Sequence, residues 1–567
     1  MGRPFNIHPI TDDSALGGSA MARSLRFNSS DNTRLVRTVG STSNRRTFTY
    51  SFWIKRTIQS AEQYILYNGS SSGTPYFDAR FEANSHELQF IDYTGTHAMK
   101  LQTNRVFRDA SSWYHIVIAI DTTQATNTNR AKLYVNGVQQ TYGTETYPSQ
   151  NHDTGANVSG HIQVWGTNKE GTSNDLDGYL AEAHFIDGQQ LTPSNFAYTD
   201  DVTGIWRPKK YEGTYGTNGF YLDFSDNSAA TATTLGKDRS GNDNNFTPNN
   251  FSVAAGVGND SVLDTPTNNF CTLNPLRRQV HNCVLSNGNL KATGPNESYP
   301  GATGTIALSS GKWYYEFEMQ TYNSPGSDPM VGICRNSYIS GGAGRIVYRA
   351  GGNYITAAPS EPSDPASFAV GDIIGVALDL DDAAGKIRFY KNGTLQPILA
   401  NGDLDDVKSD LSISTLGGVF PYVQMYNGDV CTINFGQRPF SYTPPSGHRK
   451  ITSNNLLNHS TTSILDPKKH FGSLVYTGDD KNYRNVIGLD FTPDFVWLKN
   501  RDHTAWHNLA NSMTGFQNHH YSNSTLYASY DLNSNGYINP IPIRGENGQG
   551  GFSVNAQGDR NTNNQDD

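Results

Sequence analysis

Cysteine is scarce in this chain: four in 567 residues, at Cys271, Cys283, Cys334 and Cys431. They are too few and too scattered to staple a chain of this length, and no two form a CxxC pair. A disulfide framework is therefore excluded, and the four read as reduced, partly buried thiols. Long apolar runs are also missing. No stretch of about 18 apolar residues occurs, and the opening MGRPFNIHPITDDSALGGSAMARS has no apolar core of a secretory signal. Insertion into a membrane is not expected, and synthesis in a cytoplasm is. Blocks of lysine and arginine are absent: the formal net charge is -9, and binding a phosphate backbone needs clustered cations. Nucleic acid is therefore not expected as a partner, and the acidity serves solubility. Helix-period stretches are missing too, which leaves a chain built from strands.

What is present suits strands. Tyrosine (31), phenylalanine (26) and glycine (55) are plentiful, while charged residues make up only 17%. A chain this long exceeds what one core usually organises, so three or four domains of about 100–200 residues are expected. One strand-turn-strand phrase occurs twice, as AKLYVNGVQ at 131–139 and GKIRFYKNGTL at 385–395. Each runs into Asn-Gly, the dipeptide that best tolerates the positive φ angles of a two-residue hairpin. Aromatic strands precede both copies: SSWYHIVIAID at 111–121, then GKWYYEFEM at 311–319 and GDIIGVALDLD at 371–381. The expected fold class is all-β, with two antiparallel sandwiches and a further β-rich C-terminal region.

Five segments follow. Residues 1–24 are polar and Gly-rich with nothing periodic to bury, and read as an extended docking arm. Residues 25–200 are dense in strands, among them TFTYSFWIKRT at 47–57, where Phe48, Tyr50, Phe52 and Ile54 share one face. Residues 201–270 are rich in Asn, Asp, Gly and Pro and read as an ordered connector, because Trp206, Tyr211, Tyr215, Phe220, Tyr221 and Phe224 offer too much apolar area to leave in water. Residues 271–445 form the second sandwich. Residues 446–567 form a β-rich domain whose last stretch, GENGQGGFSVNAQGDRNTNNQDD, has no closing strand pair and reads as incomplete or disordered.

The series SFWIKRT, SSWYHIVIAID, KLYVNGVQ and LDGYLAEAHFIDGQQLTPSNF resembles the laminin-G-like, concanavalin A-like lectin domain over nearly all of residues 25–200. That resemblance implies a jelly roll of two curved antiparallel sheets. GKWYYEFEM, MVGICRN, GDIIGVALDLDDAAGKIRFYKNG and VFPYVQMYNGDVCTINFGQRPFSYTPPSG occur in the order of a SPRY domain, which 271–445 resembles. The whole arrangement, ending in a VWLKNRD-bearing tail, resembles large virion proteins of tailed bacteriophages, especially those of marine cyanobacterial hosts.

Chemistry finds little purchase. Paired carboxylates about 5 Å apart mark retaining glycanases. The candidates are Glu316 with Glu318, on one face of YYEFEM, and Asp175, Asp177 and Glu182 in or near LDGYLAEAHF. Neither set has the Glu-Asp-Glu alternation of the lectin-like glycanases. Asp531, Asn533, Asn535 and Gly536 spell the first half of a calcium loop, but Pro542 stands where the closing acid belongs. Calcium at a loop mouth, with Asp121, Asp175 or Asp238 as donors, stays open. His503 and His507 have i, i+4 spacing and His519-His520 follow, yet no complete ligand set accompanies them. No G-x-S-x-G elbow occurs, and Gly-rich SGGAGR at 340–345 lacks the Lys-Ser/Thr of a phosphate loop. No cofactor is expected.

Aromatic residues among Asn, Gly and Ser suit recognition of sugars or peptides, because rings stack and amides hydrogen-bond. By resemblance to the loop face of SPRY domains, Tyr322, Asn323, Tyr348, Arg349, Tyr354 and Tyr426 are the ligand-binding candidates. The expected protein is a non-enzymatic virion component, a tail-fibre or other external appendage subunit. Its arm docks on other virion proteins, and its modules adhere to a host cell-surface glycan or protein, as a homo-oligomer with a trimer favoured. An architectural decoration or connector role ranks second, and a polysaccharide depolymerase third.

Overall fold

The computed structural model describes residues 21–58, 61–169, 171, 174–200, 204–276, 283–296, 300–323, 328–335, 344–356, 365–397, 404–457, 470–474, 476, 484–489, 491–499, 507–516, 520–522, 537–542 and 550–555. The arm before Met21, the half calcium loop at 531–536, His503, His519, and the ending after Asn555 lie outside these residues; the expectation of no closing strand pair in that last stretch is corrected, since Gly550–Asn555 is the central strand between Arg484–Leu489 and Tyr537–Ile541. The fold is all-β. Among the described residues, residues up to 457 hold two sandwiches, and a C-terminal unit holds two three-stranded sheets.

The first sandwich pairs two eight-stranded sheets. Its central strand, Thr47–Arg56, pairs with Tyr114–Asp121 on one side and Gly178–Asp187 on the other. The two-residue period sends Phe48, Tyr50, Phe52 and Ile54 into one core with Phe77, Phe90 and Trp165. The opposite face of the same strand is buried as well, Trp53, Ser51 and Lys55 included, because other segments cover it. Met21, Trp113, Tyr179 and Val262 pack against Trp53 there. The expected arm thus gives up its last residues to the fold: Met21 is buried and Ser24–Phe27 is a strand.

The segment 201–270 does more than connect. Phe220–Leu222, Thr247–Asn249 and Ser261–Val262 add strands to the sheets of the first sandwich. Phe220, Leu222, Phe224, Leu235, Phe246 and Phe251 join its core. A boundary at residue 200 would leave those faces open to water, so the first sandwich runs to Val262.

Both Asn-Gly turns take the backbone their sequence demands: φ is +48° and +82° at Asn136-Gly137, and +48° and +79° at Asn392-Gly393. Each asparagine also hitches its turn to the neighbouring strand. Asn136 accepts from His115 N (2.8 Å) and donates its own backbone N–H to His115 O (2.9 Å). Asn392 repeats this with Ile373 N (2.9 Å) and Ile373 O (2.8 Å).

The second sandwich sets a seven-stranded sheet on a five-stranded one. Trp313, Tyr315, Phe317 and Met319 alternate inward from Lys312–Thr321 to meet Ile333, Tyr348, Phe389 and Ile433. All four cysteines are buried and none forms a disulfide, and burial pushes the Cys271 thiol up to about 11 and that of Cys283 up to about 12. The C-terminal unit has its own small core of Val486, Val496, Leu498, Ala510, Ile538, Phe552 and Val554.

A buried ion pair joins the sandwiches. Lys55 Nζ reaches Asp264 Oδ2 at 2.9 Å with neither side chain exposed, and donates to Asn269 Oδ1 (2.8 Å). Trp113 Nε1 donates to the other oxygen of Asp264 (3.1 Å). Asp264→Ala leaves an ammonium stranded in a dry interface and is expected to cost roughly 3–5 kcal/mol of stability. Chemical denaturation checks this, and an unchanged midpoint would refute it.

A second buried charge has poorer company. Asp78, on the strand Tyr76–Phe81, is fully buried and 3.7 Å from Arg80 Nη1, and neither of its oxygens accepts a hydrogen bond among the described residues. Desolvation pushes its carboxyl up to about 7. Folding therefore takes up a proton, and stability falls as pH rises from about 4 to about 7, by roughly 4 kcal/mol. Asp78→Asn is expected to flatten that slope in denaturation curves collected between pH 4 and 8, and an unaltered slope would count against it.

Candidate functional site

The structure separates the six expected binding residues. Tyr348 and Tyr354 are corrected to core residues: both are almost wholly buried, with centroids 5.7 Å and 5.4 Å from Phe389. Tyr348 donates its hydroxyl to Ala366 O, and Tyr354 donates to Pro397 O (3.0 Å). The alternation of the strand Arg345–Arg349 sends Ile346 and Tyr348 inward, which no loop reading of that phrase could respect. Of the other candidates, Asn323 is bonded to the 426–429 turn, while Tyr322 packs on the main core of the second sandwich and Tyr426 on the separate cluster of Met330, Cys334, Val347 and Tyr422. Asn323 donates its backbone N–H to Asp429 Oδ1 (2.8 Å) and its amide to Gly428 O (3.1 Å). Tyr322 and Tyr426 are half-buried, and Tyr426 takes a hydrogen bond from Gln424. Arg349 is held in an ion pair with Asp328.

The acids considered for catalysis are engaged in holding the fold. Glu316 accepts from Ser441 N and Tyr442 N, both at 2.8 Å, and burial raises its pKa. The cavity beside Glu316 and Glu318 measures about 40 Å³, room for a water or two but not a sugar. Glu182 sits at φ +50° on a β-bulge and accepts from Tyr221 Oη (2.7 Å). Asp177 takes the backbone N–H (3.1 Å) and hydroxyl of Ser29, and Asp175 the hydroxyl of Thr167.

Ser51 and His115 form a buried pair at 2.9 Å. Trp206 Nε1 donates to His115 Nδ1 (3.1 Å), so the remaining ring proton lies on Nε2 and points at the serine oxygen. A histidine in that tautomer, with its pKa lowered to about 3 by burial, cannot take the serine proton.

Of the calcium candidates, Asp121 accepts from Thr123 N (3.0 Å), Thr123 Oγ1 (2.6 Å) and Gln124 Nε2 (2.6 Å). Asp238 accepts from Tyr221 N, Ser240 N, Ser240 Oγ and Asn244 N at 2.8–2.9 Å. A cation would have to displace these donors. Among the described residues no three His, Cys, Asp or Glu side chains are placed to hold a metal.

The rim of the first sandwich carries a feature that the loop reading missed, a polar pocket of about 450 Å³. Its floor is Asp187, last residue of the strand Gly178–Asp187. One Asp187 oxygen accepts from Asn44 N and Asn157 Nδ2 (both 3.2 Å), the other from Asn218 N (3.0 Å). One wall is the loop 43–46. Arg45 is pinned by Thr154 O (2.9 and 2.7 Å), and Arg46 Nε pairs with Asp153 Oδ1 at 2.7 Å. That hydrogen bond holds the Asp153 carboxyl below its ordinary range.

The opposite wall is the turn at Gly216 and Thr217. Its carbonyls accept from Asn242 Nδ2 (2.7 Å) and Asn244 Nδ2 (3.1 Å) respectively. Asn218 ties the walls together through Ser41 O (2.8 Å) and Ser43 Oγ (2.6 Å). Gly216 has φ +74°, and a Cβ there would fall 2.2 Å from Asp187 O, so only glycine fits. The signals in the sequence were the Arg-Arg pair before a core strand and the asparagines of DRSGNDNN.

With this geometry in hand, comparison with known proteins is informative. Residues 28–195 match the family described as the concanavalin A-like lectin/glucanases superfamily, and residues 312–438 match the SPRY domain. The chain carries a lectin-type domain and a SPRY domain. Residues 466–567 match a domain of unknown function, DUF7483. No curated protein matches the chain.

Among solved structures, the SPRY domain of human HERC1 is 22% identical, with 28% of this chain and 96% of that one covered and a TM-score of 0.24. A heptameric SAP-like pentraxin from Limulus polyphemus is 15% identical, over 30% of this chain and 78% of that one, with a TM-score of 0.24. A Bacteroides ovatus protein described as carbohydrate-binding is 16% identical, over 41% of this chain and 59% of that one, with a TM-score of 0.27. The rim pocket lies mainly within the lectin-type domain, and residues 216–217 close it from beyond the matched span.

Replacing both Asn242 and Asn244 by alanine removes the amides that brace Gly216 and Thr217, at about 1 kcal/mol for each hydrogen bond lost. Hydrogen exchange at residues 215–219 is expected to speed up while the core strands keep their protection. Unchanged exchange there would show that the wall is held by other means.

Proposed function

We propose that this protein is a non-enzymatic adhesion component of a bacteriophage particle, an external appendage subunit that binds a host cell-surface glycan or protein. The observation that carries this reading is the rim pocket: pre-formed, polar, and held open by buried hydrogen bonds before any ligand arrives. Of its two carboxylates, Asp153 is held low by Arg46 and Asp187 already accepts three hydrogen bonds. Asp153 is thus not poised as the protonated acid that glycoside cleavage needs, and the oxygens of Asp187 are taken up by backbone and amide donors. The lectin-type domain supports the same direction. A single polar site open to solvent binds weakly, so identical copies in a homo-oligomer, a trimer in this proposal, supply the avidity. The N-terminal residues dock the subunit on other virion proteins, and no cofactor takes part.

Purified full-length protein is expected to bind susceptible cells and to compete with phage adsorption, as measured by cell pull-down and plaque counts. Absence of both effects overturns the adhesive reading and favours an architectural part buried in the particle.

A further inference from the structure

We infer that the rim pocket is selective for a neutral sugar ring over an acidic or sulfated one, a reading that rests on the adhesive function above. The charge pattern is the first reason. Arg45 and Arg46 are matched by Asp153 and Asp187, and each group is already committed: Arg45 to backbone carbonyls, Arg46 to Asp153, Asp187 to three donors. An anionic sugar would either break the Arg46–Asp153 pair or rely on Arg45 alone, whose Nε and Nη2 are already held by backbone carbonyls, while facing two carboxylates. Repulsion between unit charges about 4 Å apart near a surface, about 1–4 kcal/mol for each, then offsets what one added hydrogen bond returns.

The chemistry of the walls is the second reason. The lining holds no aromatic ring, so stacking does not drive recognition. It offers carboxylate oxygens, guanidinium N–H groups and the hydroxyls of Ser43 and Thr217, and a sugar hydroxyl both donates and accepts. A neutral polyol can meet both kinds of group at once. The Arg46–Asp153 pair is well placed for this, since both side chains are nearly half exposed (44% and 48%) and present a donor and an acceptor side by side. Volume also distinguishes this pocket from the cavity beside Glu316. At about 450 Å³ the rim pocket is in the range of small-molecule sites, whereas the one beside Glu316 is about 40 Å³.

The test uses the full-length protein with methyl glycosides of neutral hexoses, of hexuronic acids and of sulfated hexoses, read by calorimetry or saturation-transfer NMR. Cell adhesion is measured in parallel. Neutral glycosides are expected to bind at least about ten-fold more tightly than the anionic ones, with little dependence on salt. Arg46→Ala and Asp153→Ala are each expected to weaken binding about ten-fold, in keeping with the loss of a charge-assisted hydrogen bond. Thr217→Trp, which fills the pocket, should abolish it, and circular dichroism confirms that each variant folds.

Tighter, salt-sensitive binding of the anionic sugars would overturn the selectivity while leaving adhesion standing. Cell adhesion that persists in Thr217→Trp with no sugar bound by the wild type would overturn the pocket as the site. Loss of adhesion in the wild type itself is a failure of the proposed function instead.

Discussion

Lys55 and Asp264 set the frame for the rest of this molecule. A fully buried ammonium and carboxylate at 2.9 Å tolerate each other only if the surrounding groups leave no charge uncompensated, and the neighbours do this. Asn269 takes a second ammonium proton, and Trp113 Nε1 donates to the free carboxylate oxygen. Around this point Tyr179 Oη donates to Gly288 O (2.7 Å), Asn289 Nδ2 to Thr57 O (3.3 Å), and Leu263 N to Gln437 O (2.9 Å). The outcome is a junction that is polar, dry and directional. An apolar junction of similar area would tolerate sliding, whereas one made of hydrogen bonds and an ion pair holds a single registry.

That junction also explains which parts of the first sandwich remain available. One sheet spends its outer face on Trp53, Tyr179 and Val262 beneath the covering segments. Further along the same sheet, Val117 and Ile186 are covered by Phe196 and Tyr211. The loops at the end of the Gly178–Asp187 strand remain open to a ligand, and there the chain builds its pocket. The asparagines of the 201–270 segment are central to this. Asn218, Asn242 and Asn244 spend their amides on backbone carbonyls and a serine hydroxyl, so a loop-like composition yields a rigid wall.

Much of the fold was legible in the chain itself. The alternation in TFTYSFWIKR put Phe48, Tyr50, Phe52 and Ile54 on the one face that the structure turns into the core, because a strand exposes opposite faces at every second residue whatever its surroundings. The Asn-Gly turns were legible for a similar reason: their φ angles are a local property of two residues. The site was less legible. Tyr348 and Tyr354 sat in a phrase with the composition of a binding loop, yet the pleat of Arg345–Arg349 and its partner strand put both rings in the core. Composition reports what a residue can do, and the pleat decides whether it faces a ligand.

The sequence by itself determined the strand content, the two hairpins, the order of the two sandwiches and the absence of a disulfide framework, since each depends on residues within a few positions or on simple counts. Only the tertiary structure decided that residues 220–262 complete the first sandwich, that Glu316 caps a turn, and that the rim pocket exists. Lys55 meets Asp264 across 209 positions of chain, and Asn218 meets Ser41 across 177. Contacts at that separation are chosen by how whole sheets cover one another's apolar faces, and no local pattern records that choice.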